Sequence, residues 1–267
     1  MPPHRPKMQN PAQPDRDPFS YALASRDRDI PQLVADALRH NRGQLAFQPI
    51  VAAKSGGRIA FYEGFIRLLD QGGRILPAGS FIGSVEDGPL GRDIDGVSLR
   101  LGLEMLRINK GLRLAINMSA RSIGDYGWRR TLEDMLATHP DIGPRLILEI
   151  SEGSAMLLPE LVMRFMAEMQ PRGVSFALDD FGAGLIAFRY LKDFYFDMVK
   201  IDSLYIREID KSADNQVLTE ALITVAHQFE MFVVAEGVET RAEADMLTKL
   251  GVDCLQGYLY GRPKATL

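Results

Sequence analysis

The sequence predicts an α/β barrel, and three observations carry that expectation. The chain has 267 residues, and a single barrel of eight strands and eight helices takes about 250. Short apolar runs alternate with longer amphipathic stretches, which implies a mostly parallel sheet with helical crossovers. Strand after strand also ends on a polar residue, and in a barrel those ends share one face. An open doubly wound sheet is the alternative. No G-x-G-x-x-G follows the first strand, which weakens its dinucleotide-binding form.

Composition narrows the function classes. Hydrophobic residues make up 46% and charged residues 25%, as in an ordinary soluble globular protein. The net charge of −4, with no Lys/Arg tract, argues against grip on a nucleic-acid polymer, which needs a basic stripe. A small phosphate ligand stays compatible if cations neutralise it. Cys254 is the only cysteine, so no intrachain disulfide forms, a reducing compartment is expected, and the thiol reads as a small buried hydrophobe. The N-terminus lacks the apolar stretch of a signal peptide and no run reaches about 18 apolar residues, so a membrane partner is not expected and the cytoplasm is the default location.

Taken in order, residues 1–28 carry Pro2, Pro3, Pro6, Pro11, Pro14 and Pro18 among polar residues, a composition that cannot bury enough apolar surface to order itself. A flexible tail is expected there, ahead of a barrel domain over 29–267. Asp29 caps a leading helix over 29–41, with Pro31 in its first turn and Ile30, Leu33, Val34 and Leu38 at helical spacing. Residues 45–51 and 58–67 are strands that can pair as a hairpin across Ser55-Gly56-Gly57. A helix over 93–109 leads to a strand at 112–117, a helix at 128–136 to a strand at 145–149, and a helix at 159–169 to a strand beginning at Ser175. Then come a loop over 181–190, a strand at 196–200, a helix at 215–229, a strand at 232–236, a helix at 241–250 and a last strand at 253–256.

The strand at Ser175 is the most informative. It is an apolar run that ends in Asp179 and Asp180, followed by Gly182 and Gly184. Burying adjacent carboxylates is costly unless something positive meets them, and a turn at the strand end would let both reach one site. The strand ends read Glu63, Asn117, Glu149, Asp179 with Asp180, Lys200, Glu236 and Gln256. Carboxylates converging on one mouth repel one another unless cations hold them ionised. With His4, His40, His139 and His227 outside the set, oxygen donors predict hard Mg²⁺ or Mn²⁺ rather than Zn²⁺. Lys200 either neutralises charge and holds a water there, or makes a salt bridge at the rim. Acids, hard cations and a lysine fit phosphodiester chemistry on two ions. Enolisation on one Mg²⁺ with a lysine base is the competing barrel chemistry.

The motifs Gln48-Pro-Ile-Val, Glu63 with Arg67, Asn117-Met-Ser119, Leu148-Glu149-Ile-Ser-Glu152, Asp179-Asp180-Phe-Gly, Lys200-Ile-Asp202, Ala235-Glu236-Gly-Val-Glu239-Thr and Gln256-Gly-Tyr together resemble the EAL-domain cyclic-di-GMP phosphodiesterases, in family order from about residue 44 to Pro263. The resemblance implies a modified TIM (β/α)8 barrel with an antiparallel first strand, which linearises cyclic di-GMP to pGpG with Mg²⁺ or Mn²⁺, in two ions, and is inhibited by Ca²⁺. Carried over by position, Glu63, Asn117, Glu149 and Asp179 hold one metal, and Asp179 bridges to a second beside Asp180 and Glu236. Glu236 and Lys200 are the catalytic pair, base and water-orienting cation. Gln48, Arg67 and Gln256 bind substrate, Glu152 anchors the loop after the acid pair, and Glu239 supports structure. A homodimer is expected.

The chain departs from the family pattern in two places. Its signature tripeptide is Glu63-Gly64-Phe65, with the small and branched neighbours of the acid replaced. The loop after Asp180 carries Ala183, Leu185, Ile186 and Ala187, where the family has threonine, then an aromatic and two serines. The loop leaves a second reading open, a catalytically silent domain that binds cyclic di-GMP and signals to a partner.

Overall fold

The computed structural model describes residues 30–183 and 191–267. The expected tail over 1–28, most of the loop over 181–190 and its Leu185, Ile186 and Ala187 lie outside the described residues. Eight strands close a barrel: β1 (Gly43–Ala52), β2 (Ile59–Leu69), β4 (Leu114–Asn117), β5 (Leu146–Ser151), β6 (Ser175–Phe181), β7 (Met198–Ile201), β8 (Phe232–Ala235) and β9 (Cys254–Gln256). A ninth, β3 (Ile75–Pro77), continues the sheet beyond β2. Strands β2 and β4 to β9 are parallel in ring order, while β1 runs antiparallel to both its neighbours, β2 and β9. The barrel therefore has the antiparallel first strand that the family resemblance implied. The open-sheet alternative is excluded because β1 closes the ring by pairing on both sides.

Helices lie between the strands: α1 (residues 30–39), α2 (Pro89–Ile108), α3 (Tyr126–Thr138), α4 (Glu152–Leu157), α5 (Pro159–Met169), α6 (Ser203–Ile206), α7 (Ala213–Gln228) and α8 (Arg241–Leu250). Their chemistry is legible locally. Pro89 and Pro159 open α2 and α5, where a missing N–H is harmless. Asp125, Ser212 and Thr240 accept backbone N–H groups as N-caps of α3, α7 and α8. In α2 the buried residues Ile94, Leu99, Gly102, Leu103 and Leu106 recur at helical spacing and face the sheet. None of the described helices is long and apolar enough to cross a membrane.

Two apolar regions hold the fold. The larger packs helices onto the outside of the barrel. The smaller plugs its inside and takes one inward residue from each of seven strands: Ile50, Phe61, Ala115, Ile147, Ala177, Met198 and Val234, with half-buried Cys254 of β9 against it. Cys254 is thus half-buried rather than fully enclosed, and burial pushes its thiol up to about 11. Gly64 belongs to the outer packing. A Cβ there would stand 3.1 Å from Ile116 Cδ1, and one at Gly102 of α2 only 2.6 Å from the same atom. Two missing side chains therefore make room for one long one, which accounts for the glycine in the Glu63-Gly64-Phe65 tripeptide.

Gly257, directly after β9, allows a still closer approach: an added Cβ would lie 2.0 Å from the Val238 carbonyl oxygen and 2.3 Å from its nitrogen. Backbone cannot yield as a side-chain tip can. Gly257→Ala should lower unfolding free energy by about 3 kcal/mol, whereas Gly96→Ala within α2, where nothing lies within 4 Å, should raise it by about 0.5–1 kcal/mol. Urea unfolding of the two variants checks both signs.

Candidate active site

Side chains alternate along a strand, so a second inward layer must lie two residues above the apolar plug. Adding two to each plug residue of the parallel strands gives Glu63, Asn117, Glu149, Asp179, Lys200 and Glu236, and Cys254 leads to Gln256 in the same way. On antiparallel β1 the step is reversed and Ile50 leads to Gln48. Gln48 faces Glu63 across the β1–β2 ladder. One polar residue from every barrel strand thus meets in a single layer above an apolar floor.

Lys200 stands at the centre of that layer, 1% exposed. Its Nζ lies 2.6 Å from Glu236 Oε1, 2.9 Å from Glu63 Oε2, 3.0 Å from Glu149 Oε2 and 3.3 Å from Asp179 Oδ1. Of the two sequence readings of this lysine, a rim salt bridge is therefore excluded. Asn117 Nδ2 donates to Glu63 Oε1 at 2.7 Å, and Gln256 Nε2 donates to Glu63 Oε2 at 2.7 Å and to Gln48 Oε1 at 3.1 Å. Gln48 in turn donates to the Gly261 carbonyl.

One ammonium cannot balance four carboxylates, and the proton affinities of Glu149 and Glu236 record it. Burial alone would raise Glu63, but Lys200, Gln256 and Asn117 outweigh it and hold this carboxyl below its usual range. Burial and the Glu63 charge drive Glu149 well above its ordinary value. Burial, with Asp179 and Glu63 against it, pushes Glu236 up to about 8. Burial also disfavours the Lys200 ammonium, yet the surrounding acids outweigh it and raise its pKa well above the usual lysine value.

The adjacent acids reach one place because β6 is irregular there. Its register with β7 shifts between Leu178 and Phe181, and Asp180 takes a left-handed φ of 57°. Gly182, at φ 93°, completes the turn and donates its N–H to Glu152 Oε2 at 3.1 Å. Glu152 is buried, and this hydrogen bond joins it to the turn. Burial and Asp179 raise Asp180 to about 6. Asp179, Asp180 and Glu236 each offer a carboxylate oxygen, all within 4.8 Å of one another. The buried Glu149 Oε1 has no hydrogen-bond partner among the described residues. Surplus oxygen donors, an orphaned carboxylate oxygen and no histidine or thiolate among them fit a hard divalent cation.

A cavity of about 500 Å³ opens over this layer, lined by Gln48, Glu63, Asn117, Asp179, Lys200, Glu236 and Gln256. A second, of about 510 Å³, shares Asn117 and Asp179 and adds Asp180, Ser119 and Arg121. Arg67 does not line either; it sits at the rim with its guanidinium 5.6 Å over the Phe65 ring.

Glu63 differs from the sequence expectation, and two acids, Glu243 and Asp95, lie outside it. Glu63 is not at a strand end: β2 runs six residues past it, because it pairs beyond the mouth with β1 and β3. Beside Glu239, which lines the cavity wall, Glu243 accepts N–H groups from Glu208, Glu239 and Thr240. The Thr240-x-x-Glu243 capping-box pattern carried that signal. Asp95 of α2, which accepts Ser119 N–H and the Ser122 hydroxyl and lines both cavities, had none.

The family model for the EAL domain matches residues 32–263. Among curated proteins, the chain is 31% identical over 253 residues to the signaling protein YkoW of Bacillus subtilis, covering 92% of this chain and 31% of that one. It is 28% identical to the bifunctional diguanylate cyclase/cyclic di-GMP phosphodiesterase MucR of Pseudomonas aeruginosa, covering 92% and 37%. The chain spans about a third of the length of these relatives. Among solved structures, the MucR phosphodiesterase in complex with c-di-GMP superposes with a TM-score of 0.77 at 28% identity, over 88% of this chain and 97% of that one. An EAL domain protein from Listeria monocytogenes gives 0.76 at 26%, over 88% and 94%. Barrel, motif order and family match agree, and the chain belongs to the EAL domain family.

Proposed function

We propose that this chain hydrolyses cyclic di-GMP to linear pGpG. The observation that carries the reading is the polar layer centred on Lys200, supported by relatives named as cyclic di-GMP phosphodiesterases. Glu63, Asn117, Glu149, Asp179, Asp180 and Glu236 would hold the cations. Mg²⁺ or Mn²⁺, bound as a pair, would supply Lewis-acid polarisation of the phosphodiester and favour ionisation of the attacking water. Glu236, beside the cavity and within reach of Lys200, takes the water's proton. Lys200 keeps that carboxylate and the water oriented. Attack of the water oxygen on phosphorus breaks the P–O3′ bond, and the leaving O3′ takes a proton from solvent, giving a 5′-phosphate and a free 3′-hydroxyl. Gln48 and Gln256 line the ligand's bed, and Arg67 meets a phosphate from the rim. Two cavities sharing a wall at Asn117 and Asp179 suit a ligand with two halves.

The same proposal includes a tail over 1–28 ahead of a domain over 29–267, a cytoplasmic location and a homodimer. Exposed Leu204 of α6 with Val217 and Leu218 of α7 offers an apolar face for the dimer. The silent binding domain is the second reading, favoured by Ala183 where the family carries a hydroxyl.

Chromatography of cyclic di-GMP incubated with Mg²⁺ or Mn²⁺ should show pGpG, and calorimetry in Ca²⁺ should show binding without turnover. Binding with no product in any metal would establish the silent domain instead, and neither would overturn both. Glu236→Gln should lower turnover by at least about 100-fold while retaining binding; near-normal turnover would remove Glu236 from the base role. Lys200→Met should cost about 3–5 kcal/mol at pH 7 by leaving buried carboxylates unpaired. Because a raised carboxyl pKa gives stability that is present below about 4.5 and lost as pH rises toward about 8, the urea midpoint of this variant should recover on acidification from pH 8 to 5. A variant equally stable at both would contradict the electrostatic assignment.

A further inference from the structure

We propose that Phe65 is a positioning residue, whose ring holds the Arg67 guanidinium at the rim of the barrel mouth for an anionic ligand; this rests on the phosphodiester reading above. Residues Glu63, Phe65 and Arg67 alternate onto one face of β2, and β2 continues past the mouth. The strand therefore carries an acid, an aromatic ring and a cation in ascending order from the site. The Arg67 guanidinium lies 5.6 Å from the Phe65 centroid, within cation–π range. Its hydrogen bond from Nη1 to the Ile66 carbonyl at 3.0 Å is the only one it makes among the described residues, and it forms no ion pair there. A half-buried cation that feels Tyr258 and Glu63 only through space, with no ion pair among the described residues, is poised for an anionic ligand.

The ring supplies what an aliphatic side chain at this position cannot. Phe65 is half-buried and lines the cavity, opposite small, buried Ala46 across the β1–β2 ladder. Its quadrupole attracts the guanidinium and holds it over the ring, two residues along the strand from Glu63. Arg67, with one hydrogen bond among the described residues, keeps donors for a ligand.

A double-mutant cycle tests the assignment: wild type, Phe65→Leu, Arg67→Ala and the double variant, with KM and kcat for cyclic di-GMP and Kd in Ca²⁺. Phe65→Leu should raise KM and Kd about two- to fivefold with kcat unchanged, Phe65→Tyr should restore them, and Phe65→Leu should have no further effect once Arg67 is alanine. A loss that persists without Arg67 would show that the ring contacts the ligand itself and would overturn the proposal, as would no loss at all. Nuclear magnetic resonance reads the stack without ligand. The Arg67 Hε resonance should move downfield in Phe65→Leu as the ring current is lost, and an unmoved resonance overturns the stack. A wild type that neither binds nor hydrolyses cyclic di-GMP would instead overturn the functional reading and with it the ligand role, while the resonance still decides the stack.

Discussion

Four carboxylates share one buried ammonium at the mouth of this barrel, and much of the structure follows from that imbalance. Lys200 contacts Glu63, Glu149, Asp179 and Glu236 within 3.3 Å. It cannot neutralise them all, so burial and mutual repulsion raise the proton affinities of Glu149 and Glu236, and one buried oxygen of Glu149 has no partner among the described residues. A well-satisfied buried network would be a rigid structural element. This one is under-compensated, and cation binding would relieve it at the same place where phosphodiester chemistry needs positive charge.

The barrel delivers the imbalance through register alone. An apolar floor of one residue per strand sits below, and the next inward position on every strand is polar. Since a strand alternates with period two, no special loop is required to gather eight side chains. The antiparallel β1 obeys the same rule in reverse, which places Gln48 beside Glu63. At β6 an irregularity, a register shift with a left-handed Asp180, brings a second adjacent acid to the site.

That geometry explains how much the sequence disclosed. The alternation of strands and helices was plain, and the strand-end residues were legible because polar groups interrupt apolar runs there. Sequence places Glu63 at a strand end because the polar layer cuts β2 in the middle, and pairing beyond the mouth with three-residue β3 leaves no local signal. Asp95 was invisible for a different reason: a buried acid within an amphipathic helix resembles a polar-face residue until its partners Ser119 and Ser122 are known. Glu239 drew attention through the motif, while Glu243 four residues on carries the backbone contacts. Gly64 reads as a departure in sequence and as a fitted space in three dimensions, since Ile116 fills the volume between it and Gly102.

Proton release on cation binding tests the under-compensated site most directly. Glu236, with a pKa of about 8, must give up its proton to serve as a ligand, so titration of the metal-free chain with Mg²⁺ at pH 7 should release about one proton or more. Calorimetry in buffers of different ionisation enthalpy counts it. Release that falls away above pH 9 is the expected companion result. Binding with no proton released at pH 7, or no binding of Mg²⁺ or Mn²⁺ at all, would contradict a layer of acids held short of charge by a single lysine.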